Sequence, residues 1–141
     1  MAFSGPLLKP SRLDRQVDKY EKRMAKAKAK KAEDRQAAVV FSENRRQAYK
    51  RDNGLCRVFG VGVKLTSANP LEVGHAHHVR FRSAGGDDSL GNLATVSARA
   101  HDLIHRHVLD VTGDANGTLS ITQRHLETGR IVRQWDSPCP S

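Results

Sequence analysis

At 141 residues, with only 5% aromatic side chains, the chain has material for one modest core and an appendage, and several independent domains are excluded. A formal net charge of +9 makes a polyanion the first partner to consider. No apolar run approaches the roughly 18–20 residues of a membrane span and the N-terminus lacks a secretory pattern, so no membrane partner and an intracellular location are expected. Cys56 and Cys139, far apart, are expected as free thiols.

Residues 1–10 hold two prolines and a glycine and read as a disordered leader. From Ser11 to about Ala38 strong helix formers dominate, with Leu13, Val17, Tyr20 and Met24 at helical spacing until the lysines begin. So short a stripe is expected to pack against its own domain, with a dimer seam as the alternative. Residues 1–51 carry 15 Lys and Arg against 6 Asp and Glu, whereas residues 52–141 carry 9 of each, so the whole excess lies in the N-terminal third. A lysine run is often only a solvated helix face. The neutral remainder of the chain favours instead a contact of Lys26, Lys28, Lys30 and Lys31 with a DNA backbone.

Ser42 is expected to cap a short second helix over residues 43–51, which Asp52-Asn53-Gly54 would end. The organisation expected is therefore a basic, largely helical extension over 1–51 and a domain over 52–141. In that domain Leu71-Glu72-Val73 should lead as a strand into the histidines, with Glu72 outward. A Gly/Asp/Ser-rich loop runs from Ser83 to Gly91, with Asp87 and Asp88 as turn and capping residues, and Leu93 to Val96 forms a second strand. Ser97 would cap a helix over 98–108 with Ala98, Leu103 and Ile104 toward the core. Leu109–Val111 and Leu119–Thr122 alternate as a hairpin about Gly113–Gly117. Ile131-Val132 would return beside Ile121, leaving 136–141 frayed.

Six of the seven histidines fall between residues 75 and 107. His101 and His105 are i and i+4 on the expected helix, so their rings project from one face and can grip one cation. His77, near the end of the preceding strand, can supply a third nitrogen. Three neutral imidazoles leave positions open for water and a phosphate oxygen, as a catalytic site requires. His78 points to the other side of the strand and is free to act as a base, since an imidazole titrates near neutrality. His75, His107 and His125 read as surface or satisfied core residues, although strand alternation puts His75 on the side of His77. Arg80 and Arg82, in the loop just beyond, could hold a phosphate bidentately or be plain exposed arginines.

The run from His77 to His105, with its His-His pair, Gly-Gly loop, Asn-Leu opening the second strand and histidine-bearing helix, resembles the HNH nuclease motif. Roughly residues 52–122 share the likeness. It implies an α+β fold with a ββα-metal (His-Me finger) core, here with the basic helical extension before it and a C-terminal β-hairpin after it. It also implies metal-dependent hydrolysis of DNA phosphodiester bonds, as a nick or a double-strand cut. By position, His77, His101 and His105 match metal ligands, His78 the general base and Asn92 the residue that ties the loop and orients the base. One divalent cation is implied, Mg²⁺, Mn²⁺, Ni²⁺ or Zn²⁺, with DNA as partner through its phosphates and a homodimer or larger assembly for cutting both strands. Many relatives carry two Cys-x-x-Cys pairs on a structural zinc. Here Cys56, Phe59, Ser97 and Ala100 occupy those places, so no structural zinc is expected and Phe59, Val96 and Ala100 should fill the space. A different class of function, a nucleic-acid-binding protein with a catalytically idle HNH unit, is the alternative.

Overall fold

The computed structural model describes Gly5, Pro6 and residues 8–140; the rest of the leader expected over 1–10, and Ser141 of the tail, lie outside the described residues. The fold is α+β, with one long helix and two small antiparallel sheets. Helix α1 runs from Arg12 to Arg51 without a break. Its start is a reciprocal cap, in which the Asp14 amide donates to Ser11 Oγ (3.1 Å) and the Ser11 amide to Asp14 Oδ2 (2.9 Å). The separate helix expected from Ser42 does not form. No Gly or Pro interrupts 38–51, so Ser42 stays in helical register and α1 ends only at Asn53 and Gly54, which take φ of 53° and 64°.

Packing divides the chain into two compact units, Met1–Val39 and Val40–Ser141. In the first, Leu13, Val17, Tyr20 and Met24 are exposed. The second unit takes in the last turns of α1, where Ala48 is buried and the Tyr49 hydroxyl donates to the Val63 carbonyl (3.0 Å). No helix among the described residues is long and apolar enough to cross a membrane.

Strand β1 (His75–His78) pairs antiparallel with β2 (Leu93–Val96), His77 facing Ala94 and His78 facing Leu93. One residue later the Ser97 hydroxyl accepts from the Ala100 amide (3.2 Å) and starts α2 (Ala98–His105). Helix α2 is shorter than the span expected to 108, because Arg106 leaves helical geometry and His107 adopts φ 58°. Its core face is Ala100 and Ile104 with Leu103 partly buried, and Ala98 is only half-buried. Of the segment expected as a strand before the histidines, Leu71 and Glu72 lie instead in a 3-10 turn, Pro70–Glu72, begun by Asn69, whose side chain accepts from the Leu71 amide, and only Val73 makes a β-bridge, to Lys64. Glu72 there accepts from Lys64 Nζ (2.7 Å) and Ser67 Oγ (2.8 Å).

Strands β3 (Leu109–Gly113), β4 (Leu119–Arg124) and β5 (Ile131–Ser137) form the second sheet in that order. Strand β5 extends into the tail expected to fray, pairing Asp136 with Ser120 and Ser137 with Leu119. Leu109, Val111, Leu119 and Ile121 meet Val96 and Ile104 in one buried cluster. Beside it lies an ion pair. Asp52, fully buried, accepts from Arg51 Nε (2.9 Å), Arg57 Nη1 (3.1 Å) and the Thr95 amide (2.9 Å). Buried Arg57 donates onward to the carbonyls of Ala115 (2.7 Å), Gly117 (2.8 Å) and Ser137 (3.1 Å). Every buried side-chain nitrogen and oxygen among the described residues has a partner.

The four residues that stand where the resemblance would put a structural zinc, Cys56, Phe59, Ser97 and Ala100, each have another task. Cys56 and Ala100 are buried, Ser97 caps α2, and Phe59 is 41% exposed under the guanidinium of Arg99. Phe59 therefore does not fill the space as expected, because its loop turns it outward, while Val96 and Ala100 do. One thiol and a hydroxyl already bonded to the backbone do not fit a zinc donor set.

Candidate functional site

The β1–β2 pair and α2 bring four imidazoles together. On α2, His101 Nε2 and His105 Nε2 stand 3.0 Å apart, one helical turn separating their backbones. His77, 3% exposed on β1, presents its ring edge-on to both, with centroids 6.0 Å and 6.5 Å away. His75, expected to be an ordinary surface or core residue, stacks on His101 at 4.9 Å with planes 19° apart. The two-residue period of β1 is the signal that could have found it. His107 and His125 lie in exposed positions after α2 and β4.

Burial comes first among the causes that push His77 down from the ordinary 6.5 to about 4, followed by repulsion from His101, His105 and His78. His101 is lowered too, by burial and then by His105 and His75. Both shifts favour the neutral ring, which is the form that ligates a cation. At metal–nitrogen distances of about 2.0–2.1 Å, two nitrogens on one ion stand about 2.9–3.4 Å apart for angles between octahedral and tetrahedral. The His101–His105 separation falls within that range, so the donor pair fits a single cation. No group of three His, Cys, Asp or Glu among the described residues forms a ready cation cluster as it stands.

His78 lies between two supports. One face stacks on Phe41 of α1 at 5.7 Å with planes 9° apart, and its Nε2 is 2.7 Å from Asp88 Oδ1. Arg82 lies over the same Phe41 ring at 5.0 Å and donates to Asp88 Oδ1 from Nη2 (2.8 Å). Asp88 is thus an ion-pair partner and not the turn residue expected. Burial raises its pKa, but hydrogen bonds from His78 and Arg82 and the charge of Arg82 outweigh this and hold it below the usual carboxylate range. Asp87 does cap the turn, accepting from the Ser89 amide (3.2 Å) and hydroxyl (2.6 Å).

Asn92 clamps the loop between the strands. Its Oδ1 accepts from the Arg80 amide (2.7 Å), and its Nδ2 donates to the carbonyls of Arg80 (3.0 Å) and Asp87 (2.8 Å). The Gly-Gly pair serves the same closure: Gly85 has φ 84°, and a Cβ on Gly86 would collide with the Arg80 carbonyl. Arg80 donates from Nε to the Ala84 carbonyl (2.8 Å), so its guanidinium is tied into the loop. Arg82 joins His77, His78, His101 and His105 in lining an open cleft of about 280 Å³. Lys26, Lys28, Lys30 and Lys31 are exposed on α1 in the first unit.

No family model, curated protein or solved structure matches the chain.

Proposed function

We propose that the chain is a metal-dependent DNA endonuclease of the HNH type, hydrolysing phosphodiester bonds as nicks or double-strand cuts. The observation that carries this reading is the pair of nitrogens on His101 and His105, 3.0 Å apart, opening on one cleft with His77 and His78. The antiparallel β1–β2 pair followed at once by α2 supports a ββα-metal core in the same segment. His77, His101 and His105 would hold one divalent cation, Mg²⁺, Mn²⁺, Ni²⁺ or Zn²⁺. Such a cation, when bound, stabilises charge on the phosphoryl oxygens and on the leaving 3′ oxygen.

His78 is the base in this reading. It takes a proton from a water whose oxygen bonds to phosphorus as the bond to the 3′ oxygen breaks; the departing oxygen takes a proton from a second water and His78 returns its own to solvent, leaving a 5′-phosphate and a 3′-hydroxyl. Arg82, at the cleft, is the residue suited to hold a phosphate oxygen, and Arg80 steadies the loop that carries it. Asn92 keeps the ends of that loop together and so keeps His78 in orientation. The exposed lysines of α1 add backbone affinity without reading sequence. A bacterial cell or phage-infected host is the setting proposed, with a homodimer for cutting both strands.

The deciding experiment is a supercoiled-plasmid nicking assay with each of the four cations, on wild type and His78→Ala. Cleavage that depends on the cation and falls by about 10²–10⁴ in the variant supports the reading. Absence of cation-dependent cleavage in the wild type overturns it. The second reading, a nucleic-acid-binding protein with an idle HNH unit, is favoured by the concentration of charge in α1, which needs no histidine. It would be supported by DNA binding without cleavage under all four cations.

A further inference from the structure

Resting on the nuclease reading, we infer that Asp88 is a positioning residue that fixes His78 as its Nε2–H tautomer and leaves Nδ1 to accept the proton of the attacking water. The argument begins with the 2.7 Å contact between His78 Nε2 and Asp88 Oδ1. An ionised carboxylate can only accept, so at this distance the shared proton belongs to Nε2. A neutral imidazole has one N–H, and placing it on Nε2 leaves the lone pair on Nδ1. Arg82 Nε also lies 3.2 Å from Nε2 and would require the opposite tautomer. The same guanidinium is 3.1 Å and 2.8 Å from Asp88 Oδ1 through Nε and Nη2, so its Nε–H is satisfied there and its remaining donors stay available. A bare Nε2 facing a carboxylate at 2.7 Å would set two lone pairs against each other. The Nε2–H tautomer is therefore the one consistent with all three groups.

The surroundings make the pair rigid. Asn44 Nδ2 donates to the Asp88 carbonyl (2.8 Å) and fixes the backbone under the carboxylate from the side of α1. Phe41, three residues earlier, stacks on the His78 ring and prevents it from tilting away. Asn92 holds the carbonyl of the preceding residue, Asp87. Loop and helix thus aim one oxygen at one ring nitrogen, and the ring retains only its other nitrogen for chemistry.

The test uses the full chain. Long-range ¹H–¹⁵N spectra, recorded where the imidazole is neutral, report which ring nitrogen of His78 carries the proton. The wild type is expected to show Nε2–H, Asp88→Ala a mixture of both tautomers, and Asp88→Asn, whose amide oxygen can accept the same bond, the wild-type pattern. In single-turnover nicking, Asp88→Ala is expected to lower the rate at saturating DNA by about 10-fold or more, less than loss of the base itself, with cation affinity unchanged. Asp88→Asn should recover most of that rate. A wild-type Nδ1–H tautomer, or an Asp88→Ala variant that cuts at the wild-type rate, overturns the inference. A wild type that never cuts, yet loses its Nε2–H tautomer in Asp88→Ala, supports the pairing and overturns the nuclease reading instead.

Discussion

His101 Nε2 and His105 Nε2 stand 3.0 Å apart on one face of α2, close enough to share a hydrogen bond or one cation. Removal of either imidazole should weaken divalent-cation binding and DNA cleavage together, because each deletes a nitrogen from a site with few protein donors. His78→Ala should leave cation affinity near wild type. Isothermal titration with Ni²⁺ or Zn²⁺ on the three variants gives the readout. Loss of cation binding in His78→Ala would make that residue a ligand and reverse the assignment of the histidine pair.

The acid side of the stability profile should be governed by His77. Its ring stays neutral in the folded protein down to about 4, whereas the unfolded chain takes up this proton near the ordinary 6.5. The unfolded state therefore binds more protons between those values, and stability falls as pH falls through that window, by on the order of 3 kcal/mol. Urea unfolding of chelator-treated protein at several pH values between 7.5 and 4 measures this. His77→Gln should flatten most of the slope, with His101, lowered in the same direction, supplying a remainder.

Asp52→Ala should be among the most destabilising single changes in the chain, at about 3–5 kcal/mol, since it leaves the buried Arg57 guanidinium without its counter-charge. The double variant Asp52→Ala with Arg57→Met should lose less than the sum of the single losses. Chemical denaturation around this cycle measures the coupling, and strict additivity would show that the two residues act independently.

Gly86→Ala is expected to damage cleavage more than cation binding. Its methyl group would meet the Arg80 carbonyl, so the loop clamped by Asn92 must open, and that loop carries Asp88 and Arg82 rather than the helical histidines. Nicking and titration run side by side separate these effects. Equal losses in both would mean that the loop also shapes the cation site.

Exchanging Lys26, Lys28, Lys30 and Lys31 for Gln should weaken DNA binding without altering any preference for sequence. Each lost phosphate contact lowers the slope of log affinity against log salt by about 0.9. Fluorescence anisotropy over a salt series gives the slope, and an unchanged value would remove these lysines from the interface.

What the sequence made legible was whatever local chemistry decides. The i, i+4 spacing predicted the convergence of His101 and His105, Ser97 announced α2, an apolar run marked β2, and alternation marked β3 and β4. Elements settled by tertiary contact were harder to read. Ser42 looks like a cap because it is a serine before a helix-forming run, yet Phe41, Asn44 and Arg45 are all engaged by the second unit and hold the helix through it. Asp88 is hard to read for the same reason. A carboxylate in a Gly-rich loop suggests a turn, and only the fold sets it opposite His78, ten residues back in the chain. The bonds from Arg57 to the carbonyls of Ala115, Gly117 and Ser137 join parts of the chain that no local pattern could connect.

The pair of Asp52 and Arg57 also bears on the order of assembly. Arg57 collects oxygens from residues 52, 115, 117 and 137, sequence separations reaching 80 residues, and it cannot be satisfied until the third strand of the second sheet is present. A chain emerging from the ribosome can form α1 and α2 early, because their bonds are local, while the guanidinium waits in water for its last acceptor. Closure of the domain therefore waits until residue 137 has been made, and a nascent chain that stops before Ser137 leaves the Arg57 guanidinium only partly coordinated.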